Sequence, residues 1–164
     1  MAKAAVMNQR HRKFVPHVLV VQTHARVVFR NSDDVSHHVY SFSPAKRFQL
    51  YLAKGEPEKT VVFDQPGVVT LGCNLHDWML GYILVVDTPW FAKTDASGRA
   101  SLPDLAPGRY RLEVWHPRAT DAPQALARDV EVRGAAPAVW DLRLARPLLP
   151  ARDQTPGLAD YGSP

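Results

Sequence analysis

Between Thr70 and Tyr82 the chain reads TLGCNLHDWMLGY, with Cys73, His76 and Met79 at Cys-x2-His-x2-Met spacing. One short segment therefore offers a thiol, an imidazole and a thioether. A soft thiolate with two imidazoles and a weak thioether is the donor set of a mononuclear copper electron-transfer site. One imidazole is still missing from that set. His37-His38, about 36 residues upstream of Cys73, supplies it from the start of a strand-like run. Successive side chains of a strand point to opposite faces, so only one of the pair can turn towards the thiol.

Taken singly, each of these residues has an ordinary explanation. A lone cysteine is usually a small buried hydrophobe, a lone methionine fills core space, and a lone loop histidine is usually exposed. Zinc would accept thiolate and imidazole, but a zinc site does not require a thioether. It is the conjunction of thiol, imidazole and thioether in one loop, with a strand-borne histidine pair, that favours copper.

Wider composition narrows the classes. The 164 residues are 46% hydrophobic and 22% charged, close to globular averages and enough for one domain or two small ones. Fourteen prolines weigh against long helices and favour strands joined by turns. A single cysteine excludes an intrachain disulfide scaffold and a multi-cysteine zinc or iron–sulfur site. The formal charge of +4 is too small and scattered to imply nucleic acid. No run is long enough for a transmembrane helix, and the start MAKAAVMNQRHRKF lacks the apolar stretch of a signal peptide.

The elements that must position the donors read as strands. FVPHVLVV (14–21), ARVVF (25–29), HVYSF (38–42), TVVF (60–63), VVTL (68–71) and GYILVV (81–86) are rich in β-branched residues. The turn formers Asn31-Ser32-Asp33-Asp34 end one of them. One short helix is expected around residues 45–52, closed by Gly55-Glu56-Pro57. The donor loop thus closes the strand pair VVTL and YILVV. Beyond Pro89, turns at Thr94–Gly98 and Pro103–Gly108 are expected between short strands. The alternating run 109–115 and the segments 128–132 and 139–144 are expected to be strands too. The expected organisation is all-β: a unit over 1–89, a smaller one over 90–145, and an extended or disordered tail over 146–164.

Phe14-x-Pro16-x-x-Leu19-x-Val21, Val27-x-Phe29-x-Asn31, Ser36-His37-His38-Val39 and Cys73-Asn74-Leu75-His76-Asp77-Trp78-Met79 together resemble the cupredoxin family. The ligand loop is most similar to that of amicyanins, and the whole chain is similar to cupredoxin-type "methylamine utilization" proteins. The resemblance covers about residues 5–87 and implies a Greek-key β-sandwich or barrel. It implies copper held by His37, Cys73, His76 and Met79, with His38 standing where the family usually has Asn, beside the thiolate's surroundings. It further implies a redox partner protein and a periplasmic or extracytoplasmic location. Thr94-Asp95-x-x-Gly98 through Leu105-x-x-Gly108-x-Tyr110-x-Leu112-x-Val114 resembles the carboxypeptidase regulatory-like module, a small immunoglobulin-like or prealbumin-like β-sandwich.

Other residues depart from the family pattern or stand outside it. His24 occupies a place where a glycine-containing turn is common, so a positive φ is expected there. Trp78 stands where such loops often carry Pro. Leu75, Trp78 and Leu80 would form an apolar collar at His76, or simply the hydrophobic end of the sandwich. Arg10-His11-Arg12-Lys13 would steer an acidic partner or act as a solvated edge. His11, His17 and His24 read as scattered surface histidines rather than as a second metal patch.

The function expected is electron transfer by one copper ion. A copper carrier or store, favoured by Cu(I) on soft sulfur, and a metal-stapled interaction module are the alternatives. An enzyme is not expected. Four protein ligands leave no open coordination position, Asp33, Asp34 and Asp77 make no acid/base pair, and no phosphate cradle or nucleophile elbow is present. Oligomeric state and the identity of the partner are not legible.

Overall fold

The computed structural model describes residues 5–134 and 138–151. The chain divides into two compact units, Met1–Lys93 and Thr94–Arg152.

The first unit is a two-layer β-sandwich. One sheet has the order β2-β1-β4-β7, from β1 (Ala5–Arg10), β2 (Lys13–Val15), β4 (Ala25–Asn31) and β7 (Lys59–Phe63). The other has the order β3-β9-β8-β5-β6, from β3 (Val18–Gln22), β5 (His37–Ser43), β6 (Lys46–Leu52), β8 (Gly67–Cys73) and β9 (Leu80–Val86). Alternation along each strand sends one set of side chains into the space between the sheets. Met7, Phe14, Val27, Phe29 and Phe63 enter from the first sheet, and Val39, Leu52, Val69, Leu71, Ile83 and Val85 from the second. Burial of side chains of this size stabilises by about 1.5–3 kcal/mol each. The rings of Phe29 and Phe48 meet at 5.4 Å and those of Phe48 and Phe63 at 6.1 Å, tying the layers together at β6.

Two expectations for this unit need correction. Residues 46–52 form strand β6, not a helix. Phe48, Leu50 and Leu52 fall on one face and Arg47, Gln49 and Tyr51 on the other, a period of two that lets β6 pair with β5 across the Ser43–Lys46 turn. The run 14–21 is not one strand either. It splits at the cis Val15–Pro16 bond into β2 and β3, which belong to different sheets. His24 does take a positive φ, of 66°, and its imidazole lies 3.7 Å from Asp64.

Close approach of the layers depends on one glycine. A Cβ at Gly81 of β9 would lie 2.8 Å from Cβ of buried Phe14 on β2. That contact is with the root of a core side chain, which cannot swing away. Gly81→Ala is therefore expected to destabilise the unit by about 1–3 kcal/mol in a urea titration. Gly72→Ala would instead meet the outer end of the Tyr40 ring at 2.5 Å, and is expected to cost less because that ring is half-exposed and can rotate out.

In the second unit, β10 (Gly108–Glu113) and β11 (Ala127–Val132) form an antiparallel pair, preceded at β11 by a short 3-10 helix (Pro123–Leu126). Asp95 shapes the expected 94–98 turn, its carboxylate accepting from the Ser97 and Arg99 amides at 2.8 and 3.0 Å. Residues 139–144 are not a strand, and Val139 is 84% exposed, with no neighbouring strand to bury it. The tail expected from residue 146 onward lies outside the described residues beyond 151.

Candidate metal centre

Strand parity and register bring the donors to one end of the sandwich. Cys73 is the last residue of β8 and shares the inward face with Val69 and Leu71. His37 is the first residue of β5 and shares the inward face with Val39 and Ser41. The register pair Val39↔Cys73 then sets the His37 ring over the thiol. The loop after Cys73 is pinned at both ends. The Asn74 amide donates to the His38 carbonyl at 3.0 Å, and the Met79 amide donates to the His76 carbonyl at 3.0 Å. This tight turn folds His76 back towards the strand end.

The result is a cluster. Sγ of Cys73 lies 3.8 Å from Nδ1 of His37 and 3.6 Å from Nδ1 of His76, and the two rings are 4.9 Å apart. All three donor atoms lie within 4.8 Å of one another, the single such group among the described residues. Metal–nitrogen and metal–thiolate bonds of about 2.0 and 2.3 Å meeting near 120° place nitrogen and sulfur about 3.7 Å apart. The observed spacings match that figure, so the trio fits one ion in a trigonal arrangement. A thiolate with two imidazoles suits copper. Met79 is buried, 2% exposed, at the end of the same loop.

His38 points the other way. It is half-buried, takes a hydrogen-bond contact from the Asn74 side-chain amide at 3.1 Å, and meets the Tyr51 ring edge-on at 6.3 Å. His11, His17 and His24 are not brought together. Asp33 holds the His11 backbone amide, Nδ1 of His17 faces the Leu80 carbonyl at 3.0 Å, and His24 sits beside Asp64. Around His76, Leu75 is 53% exposed, while Trp78 is half-buried, packs on the core and meets the His76 ring edge-on at 5.3 Å. The indole N–H of Trp78 donates to the Arg12 carbonyl at 3.3 Å.

Asp33 is the residue that sequence reasoning missed. Asn31 shapes its loop, accepting from the Asp33 amide at 2.9 Å and donating to the carbonyls of Val35 and Leu52 at 2.8 and 3.0 Å. Asp33 Oδ2 then faces Nε2 of His37 at 2.9 Å. A carboxylate only accepts, so Nε2 carries the proton and the Nδ1 lone pair is left facing Cys73. The only sequence signal was an aspartate four residues before a histidine, among turn formers that explain themselves.

Burial keeps both imidazoles neutral. Burial lowers the His37 pKa below 6.5 against the opposing pull of Asp33. Burial, then the nearby His37 and Arg12, lower that of His76. Burial raises the Asp33 pKa, but hydrogen bonds from the Arg12 amide, His37 and the His11 amide outweigh it, and the net shift is downward from 3.8. Below 6.5 the unfolded chain binds protons on these histidines more readily than the folded one. Stability of the metal-free protein is therefore complete above that value and declines as pH falls below it. The Asp33 contribution is present above 3.8 and is lost as pH falls through its lower folded value. Urea midpoints of the metal-free protein are expected to drop between about pH 7 and pH 5. A flat profile there would contradict the burial of neutral imidazoles.

The chain matches no family model and no curated protein. Among solved structures it is similar to a copper-containing nitrite reductase (NirK) from Thermus scotoductus SA-01, at 22% identity over 52% of this chain and 23% of that one, TM-score 0.49. The chain thus spans under a quarter of the reductase. It is also similar to amicyanin, in the Cu(I) structure of one of its point mutants, at 21% identity over 50% of this chain and 81% of that one, TM-score 0.45. A purple cupredoxin from Nitrosopumilus maritimus gives 24% identity over 49% and 98%, TM-score 0.43. At such identities and scores these likenesses identify no family, and the metal reading stands on the three donors and their spacing.

Proposed function

We propose that the first unit binds one copper ion through His37, Cys73 and His76, with Met79 as a distal thioether, and passes single electrons to a partner protein. The observation that carries this is the convergence of one sulfur and two ring nitrogens at spacings suited to a trigonal ion. When bound, copper would supply a one-electron couple whose two oxidation states both tolerate three strong donors and a weak thioether. The protein's own contribution is rigidity and enclosure. His37 is fully buried, and Cys73 and Met79 are 3% and 2% exposed. His76 alone of the four is half-exposed, and it lies beside exposed Leu75. That enclosure favours electron passage at the His76 edge over metal hand-off, and leaves little room for a substrate.

The finer assignments are proposed alongside. The chain is read as a cupredoxin unit over 1–89, a carboxypeptidase regulatory-like module over 90–145 and a tail over 146–164. The copper reading favours an extracytoplasmic setting. Among the described residues, no helix is long and apolar enough to cross a membrane.

A Cu(II) titration followed by visible absorption and electron paramagnetic resonance tests the reading. The expected result is an intense thiolate-to-copper charge-transfer band saturating at one equivalent, with its position altered by Met79→Leu. A protein that stays colourless with Cu(II) and binds Zn(II) equally tightly would overturn it.

A further inference from the structure

We infer that Asp33 is the positioning residue of the site, the keystone of an outer chain of hydrogen bonds and one ring contact that sets both imidazoles before any metal arrives. The inference rests on the copper reading above and extends it to residues outside the donor set.

These links can be followed residue by residue. His37 donates from Nε2 to Asp33 Oδ2 at 2.9 Å. The same carboxylate grips the β1–β2 turn, Oδ1 accepting from the His11 backbone amide and Oδ2, shared with His37, from that of Arg12 at 2.9 Å. Those two residues sit at φ 54° and 53°, a left-handed pair that two-residue hairpins need but that non-glycine residues adopt reluctantly. The Arg12 carbonyl accepts from Trp78, and the Trp78 ring meets His76 edge-on. Both imidazoles are therefore joined through Asp33, the β1–β2 turn and Trp78, without passing through the metal position. The Asp33 side chain is 8% exposed, so its bonds are little weakened by water.

Two consequences follow from the chemistry. An acceptor-only group at Nε2 fixes the His37 tautomer and ring plane, so the Nδ1 lone pair is presented without reorganisation. A buried anion behind one ligand also makes that imidazole a stronger donor and favours the more highly charged metal ion. Asp33→Asn keeps the size and an acceptor oxygen while removing the charge. Asp34, adjacent and exposed, provides the control for charge alone.

The experiment uses the full chain as wild type, Asp33→Asn, Asp34→Asn and Trp78→Phe, loaded with copper. The readouts are transfer of Cu(I) to a competing chelator, the reduction potential, and metal-free urea stability. Asp33→Asn is expected to weaken Cu(I) and Cu(II) binding by about 10–100-fold, more for Cu(II), and so to raise the potential. Asp34→Asn is expected to change neither appreciably. Trp78→Phe, which drops the N–H bond to the Arg12 carbonyl and shrinks a ring packed on the core, is expected to broaden the spectrum of the bound Cu(II) and to lower the metal-free stability less than Asp33→Asn does. A fourth readout needs no metal: the ring nitrogen resonances of His37 should report Nε2–H alone in wild type and a tautomer mixture in Asp33→Asn. If Asp33→Asn lowers metal-free stability but leaves affinity, potential and tautomer as in wild type, Asp33 is structural only and the inference falls. If wild type takes up no copper while the tautomer result holds, the copper reading fails and the positioning role survives.

Discussion

Cys73→Ser is expected to leave a colourless protein whose copper affinity is lower by two to three orders of magnitude. Structural metal sites bind with about 10–16 kcal/mol shared among four donors, or about 2.5–4 kcal/mol each. The thiolate contributes at least an equal share, because it is the only anionic donor in the cluster and the softest. The fold should survive the change. Cys73 is 3% exposed beside Val39 and Leu71, and the exchange keeps the side chain's shape, so the loss is that of burying one hydroxyl, about 1–3 kcal/mol. Isothermal titration and the urea midpoint of the same variant separate the two effects. A Cys73→Ser protein that still develops the charge-transfer band would assign the colour to another sulfur and sink the proposed site.

The second large effect is stabilisation by the metal itself. An ion that binds only the folded state adds about 4 kcal/mol once its concentration is a thousand times the dissociation constant. For a unit of this size, each kcal/mol moves the thermal midpoint by about 4–8 °C, so saturation with copper is expected to raise it by roughly 15–30 °C. His37→Ala should abolish most of that shift and also lower the metal-free midpoint, since it leaves the largely buried Asp33 carboxylate without its ring partner. Differential scanning calorimetry with and without copper provides the check. A midpoint indifferent to copper would show that the cluster closes on itself and holds no ion.

Much of this site was legible in the chain because its donors obey short-range rules. Cys73, His76 and Met79 lie in one loop, and the strands flanking it are β-branched runs bounded by turn formers. Alternation admits only one of His37 and His38 once a strand is granted, and the family resemblance points to His37. Asp33 was not legible. Its role depends on the carboxylate reaching three partners from two other parts of the chain, and turn propensity already accounts for an aspartate there. Strand β6 escapes a local reading for a related reason. The run 45–52 closed by Gly55-Glu56-Pro57 reads as a short helix, and only pairing with β5 makes its alternation decisive. The split of 14–21 between sheets is a long-range outcome that no local pattern encodes.

Two imidazoles stand side by side at the head of β5, and the sandwich must choose between them. The decision is made further down the strand. Val39 and Ser41 follow His37 into the interior, whereas Tyr40 and Phe42 follow His38 on the outside, where Phe42 is 64% exposed. Sliding β5 by one position would offer the metal an equally good ring, yet would drive two large aromatic side chains into space packed for a valine and a serine. Steric selection by residues that never touch the ion thus guards the identity of the ligand. Shrinking those outer aromatics is the change that would let a misthreaded but metal-competent protein compete.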